Sequence, residues 1–90
     1  MKNQTKQTKN RHNIGYRDFW CWFEDEGEES ALLISAFNIN EAAEKFVENA
    51  AKRDPEVLNL LPCVVVVDGA QGRKRVSVNI GFYGDILEEK

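Results

Sequence analysis

Residues 16–37 read YRDFWCWFEDEGEESALLISAF: an aromatic run, an acidic connection, then an aliphatic run. In the first run Phe19, Cys21 and Phe23 alternate with Trp20 and Trp22. Period-two alternation of aromatic residues is the pattern of a β-strand. Glu26-Gly27 lies at the centre of the acidic stretch, where a hairpin needs a residue that tolerates positive φ. In the second run Ala31, Leu33, Ser35 and Phe37 fall on one face, and Leu32, Ile34 and Ala36 on the other. The stretch therefore predicts a hairpin with apolar side chains on both faces. A lone hairpin is marginal in water, so later elements must cover it.

Working outward, the pattern changes period at once. In NINEAAEKFVENAAKR (38–53), Ile39, Ala42, Ala43, Phe46, Val47 and Ala50 recur at helical spacing. Asn38 and Glu41 have the spacing of an N-cap and its N3 partner. Lys52 and Arg53 complement the C-terminal end of the helix dipole, and Pro55 ends the element. DPEVLNLLP (54–62) is too apolar for a free linker and predicts a short helical turn or an extended segment packed on the sheet. CVVVVD (63–68) is apolar on both faces, as expected of a central strand. DGAQG (68–72) is a turn. RKRVSVNIGF (73–82) alternates again, with Val76, Val78, Ile80 and Phe82 on one face and a polar set on the other. YGDILEEK (83–90) is read as a tail docking through Ile86 and Leu87. The expected fold is one small α+β domain over 16–90, ordered β-β-α-β-β, with an antiparallel sheet and one helix packed on one face. The pattern leaves open which face the helix takes.

The 90 residues, 42% hydrophobic and 30% charged, suit one domain with one modest core. The net charge of −3 conceals an asymmetry. Residues 1–17 hold Lys2, Lys6, Lys9, Arg11 and Arg17 and no acid, so the remaining chain is markedly acidic. Residues 1–15 bring almost no apolar surface to bury and are read as a flexible basic arm. Cys21 and Cys63 lie in predicted strands, and the N-terminus lacks an apolar signal-peptide core. A cytoplasmic protein with two free thiols, associated with no membrane, is the expectation.

Chemistry-bearing constellations are sparse. His12, the single histidine, stands in the basic arm, away from either cysteine. No Ser/His/Asp or Cys/His set forms, so no catalytic residue is assigned. The acidic stretch lacks the alternating-oxygen pattern of a Ca²⁺ loop, and no metal or cofactor is expected. Gly69-Ala70-Gln71-Gly72 followed by Arg73, Lys74 and Arg75 matches a G-x-x-G string with a basic flank. In KH modules such a loop joins helices, whereas here it joins strands, so it is read as a hairpin turn. Arg73, Lys74 and Arg75 remain a candidate phosphate contact.

The surplus apolar sheet surface points instead to a protein partner, contacted through Trp20, Trp22 and Ile34, with Trp22 at the centre. A second copy of the chain is the expected partner, because one helix shields only one side of a sheet. The function expected is that of a small non-enzymatic binding protein, of the inhibitor or accessory kind carried by phages and other mobile elements. The alternative is a nucleic-acid-binding module using the basic arm and Arg73–Arg75.

Overall fold

A computed structural model describes residues 15–87. The chain forms β1 (Arg17–Phe23), β2 (Leu32–Ala36), α1 (Ile39–Arg53), β3 (Cys63–Gly69), β4 (Gly72–Asn79) and β5 (Tyr83–Leu87). The strands make one open antiparallel sheet in the order β2-β1-β3-β4-β5, with α1 on one face. The expected α+β domain and its β-β-α-β-β order are therefore present, lengthened by a fifth strand.

That fifth strand corrects the reading of 83–90 as a docking tail. The expected long strand 73–82 stops at Asn79 instead. Asn79 accepts the amide of Ile80 on Oδ1 (2.7 Å) and the amide of Phe82 on its carbonyl (2.9 Å). Gly81 and Phe82 both take positive φ, 89° and 62°, which turns the chain back into β5. Phe82 tolerates this uncommon geometry because its ring packs against the core. The basic arm, apart from Gly15, lies outside the described residues, as does 88–90.

Helix α1 has the predicted bounds, and its caps explain why. Asn38 Oδ1 accepts the Glu41 amide at 2.8 Å. Glu41 reaches back to accept the Phe37 amide at 2.7 Å, one residue before the position a standard capping box would satisfy. Asp54 closes the helix through its amide to Ala50 O (2.9 Å). Its side chain then accepts the Glu56 amide and so starts a 3₁₀ turn, Pro55–Leu60, which buries Val57. The predicted packed connection is thus a short helical turn.

The core lies between α1 and the face carrying Phe19, Cys21, Ile34, Ala36, Val65, Val67, Val76 and Val78. Ala42, Ala43 and Ala50 keep the helix close to this face, and Phe46 meets Phe23 with ring centroids 4.9 Å apart. Two glycines allow close approach. A Cβ on Gly69 would stand 2.6 Å from the Phe19 ring, and one on Gly84 would stand 3.3 Å from Asn40 O of the helix.

The first turns of α1 also bind both outer strands. Asn40 Nδ2 donates to Gly84 O (2.7 Å), and Glu44 accepts the Gly84 amide (2.8 Å). On the other edge Lys45 Nζ donates to Ser35 O (3.0 Å), while Glu41 holds Phe37. Backbone groups that an edge strand would otherwise offer to another chain are occupied at these points.

Candidate interaction face

The β1 alternation that buries Phe19 and Cys21 under α1 sends Asp18, Trp20, Trp22 and Glu24 to the opposite face. The registers assign each a neighbour. Trp20 stands between Leu33 of β2 and Asp68 of β3, and Asp68 faces Arg73 of β4. One row further along, Trp22 faces Val66, Val66 faces Arg75, and Arg75 faces Leu87. Two rows of side chains thus cross the open face of the sheet.

The second row is covered by the protein's own charged side chains. The Arg73 guanidinium lies 5.0 Å from the centroid of the Trp22 ring. Its Nη2 is 3.0 Å from Asp68 Oδ2 and 3.5 Å from Glu28 Oε2. Arg75 grips Glu24 in a fork, Nε to Oε2 at 2.6 Å and Nη2 to Oε1 at 3.2 Å. The Arg75 hydrogen bonds hold the Glu24 carboxyl below the usual carboxylate range. The hydrogen bond to Asp68 raises Arg73 further still. Beneath this lattice Trp22 is only 4% exposed and Val66 7%, with no helix over them.

Three sequence-based assignments change accordingly. Trp22 is not the centre of a free apolar patch, because Arg73 already covers it. Ile34 lies on the helix-covered face, 9% exposed and opposite Phe19, so it does not adjoin the tryptophans. The β2 residue that joins them is Leu33, one position earlier. Trp20 (50% exposed) and Leu33 (51%) form an adjacent exposed pair. Arg73, Lys74 and Arg75 do not make one cationic patch. Strand alternation puts Lys74 opposite Val67, on the other face from the two arginines, and both arginines engage carboxylates.

Two shallow clefts flank Trp22. One, about 300 Å³, is lined by Trp20, Trp22, Glu28, Ala31 and Asp68. The other, about 310 Å³, lies among Trp22, Glu24, Val66, Arg73 and Arg75. The acidic connection is longer than a tight hairpin turn. It contains a 3₁₀ turn, Glu28–Ser30, entered through Gly27 at φ 89°. That turn carries Glu28 to Arg73.

A third cleft, about 300 Å³, lies beside Cys63, between the acidic residues 24–26 on one side and Leu60 and Pro62 on the other. Both cysteines are free. Burial, then the Asp25 charge, raises the Cys63 thiol, and burial pushes Cys21 up to about 12. Both are protonated thiols near neutrality and poor nucleophiles. Among the described residues no group of three or more His, Cys, Asp or Glu side chains is placed to hold a metal ion. No helix among them is long and apolar enough to cross a membrane.

The positions that sequence reasoning missed are Leu33, Glu28 and Asp68. An acid ending a run of four valines was the available signal for Asp68. Nothing local marked the other two. Comparison with known proteins finds no matching family model, no similar curated protein and no similar solved structure.

Proposed function

We propose that this chain is a non-enzymatic binding protein that contacts a partner protein through the open face of its sheet, with Trp20 at the centre. The observation that carries the reading is the contrast within one strand. Trp22 is covered by the chain's own arginine, whereas Trp20, two residues away on the same face, stands half exposed beside Leu33. Tryptophan is over-represented among residues that dominate binding energy, and a side chain with one open face is suited to that role.

Self-association receives less support than the sequence suggested. Among the described residues, the open face carries five carboxylates, Asp18, Glu24, Glu28, Asp68 and Asp85, against two guanidiniums, Arg73 and Arg75. Two such faces would repel each other. The same surplus opposes contact with phosphate, as does the engagement of both arginines.

The test uses full-length wild type and Trp20→Ala as immobilised baits in extract of the native host. The expected result is a protein held by the wild type and lost by Trp20→Ala. Retention indifferent to Trp20 overturns the reading. So does tight oligonucleotide binding with a steep salt dependence, which would favour the nucleic-acid alternative.

A further inference from the structure

The geometry points to the chemistry of the partner, given the reading above: a basic segment that lays a lysine or arginine side chain over Trp20 and an apolar side chain on Leu33. The molecule carries an internal example of this recognition. Arg73 rests on the Trp22 ring while Asp68 and Glu28 hold its guanidinium. One row away the same face offers a second indole, Trp20, with Asp18 two residues before it on β1 and Asp68 opposite on β3. The adjoining cleft is walled by both indoles and by the Glu28 and Asp68 carboxylates. An incoming cation meets a π face with Asp18 on the same strand face and shares Asp68 and Glu28 with Arg73, and an apolar neighbour in the segment meets Leu33. Cations over indoles are favoured most where carboxylates and partial burial add to the ring's attraction. An acidic segment, or a second copy presenting the same acidic face, meets repulsion at each of these points.

The experiment titrates the full-length protein with two short dye-labelled peptides, one alternating arginine with leucine and one alternating glutamate with leucine. Saturable binding of the basic peptide only is expected, weakening as salt is raised. Trp20→Ala should weaken it roughly ten-fold, and Asp18→Asn about two- to five-fold. Glu48→Gln, on the solvent side of α1 and so across the sheet, should leave it unchanged and thereby separates docking at this face from attraction to an acidic protein in general. Equal binding of both peptides, or loss with Glu48→Gln as large as with Asp18→Asn, overturns the proposal. A dimer by sedimentation equilibrium that Trp20→Ala dissociates also overturns it, in favour of a second copy. A salt-induced red shift of Trp20 emission without peptide, read in Trp22→Phe, overturns it in favour of the chain's own basic residues 1–14. If the host protein captured through Trp20 is real but the basic peptide does not bind, the partner's chemistry is wrong and the binding reading survives. If capture is also indifferent to Trp20, both fall.

Discussion

The two faces of this sheet bury comparable apolar residues by different means. Under α1, alanine, valine and cysteine pack together, and the one polar contact beyond the cap and edge contacts among those described is the weak one from the Cys21 thiol to Ala42 O at 3.9 Å. On the other face Trp22 and Val66 are equally inaccessible, yet what lies above them is two arginines tied to exposed carboxylates. Hydrophobic packing is not screened by salt and is strengthened by some salts, whereas exposed ion pairs are weak individually and are screened. The helix-covered face is therefore the part that holds the fold, and the open face is the part that solution conditions and partners can rearrange.

The largest expected effect is on the covered face. Phe46→Ala removes a buried ring packed on Phe23 and should cost about 3–5 kcal/mol in denaturant unfolding. A cost below about 1 kcal/mol would show that α1 repacks freely and that the contrast between faces is overdrawn.

Alkali should strike the same face next. Cys21 ionises near 12 when folded, against 9.0 for an ordinary thiol. The folded state thus favours the protonated thiol. Its contribution is complete below pH 9 and is lost as pH rises from there toward 12, because only the unfolded chain releases the proton. Stability measured across that window should fall more steeply for the wild type than for Cys21→Ala. Parallel profiles would contradict the assignment.

Acid should act on the open face. The Glu24 carboxyl lies below its ordinary range when folded, so its contribution is present above that range and is lost as pH falls through the folded value. In a Trp20→Phe background, Trp22 emission should shift to the red as the Arg75–Glu24 pair, which lines the cleft beside Trp22, comes apart. Glu24→Gln should show the shifted emission already at neutral pH, with little further change in acid.

The smallest stability effect belongs to the largest exposed side chain. Trp20→Ala should move the unfolding free energy by no more than about 0.5 kcal/mol while abolishing partner capture. A large destabilisation would mean that Trp20 belongs to the fold and not to a contact surface.

Much of this architecture was legible locally. The bounds of α1 follow from Asn38, Glu41 and Pro55, whose effects reach only a few residues. The strands in 17–23 and 63–69 follow from aromatic and β-branched alternation. The end of β4 was missed because Ile80 and Phe82 continue the alternation, while the turn depends on Asn79 and Gly81. For the candidate site, Trp20 and Trp22 were visible, but their opposite states of cover were not. Misassigning Ile34 came from the choice of β2 face, which a one-residue change in register reverses.

The sequence by itself determined the element types, the single apolar helix stripe and the placement of two indoles on one strand face. These rest on periodicity and capping, which are properties of neighbouring residues. Only the tertiary structure decided that residues 83–87 form a strand, because Gly84 is held by Asn40 and Glu44 from across the molecule. Only it decided that Arg73 covers Trp22 and leaves Trp20 open, since that cover depends on bringing Glu28, Asp68 and Arg73 together from three separate elements. Pairing register and long-range electrostatics couple residues far apart in the chain, and the local pattern around each does not encode which partner it will meet.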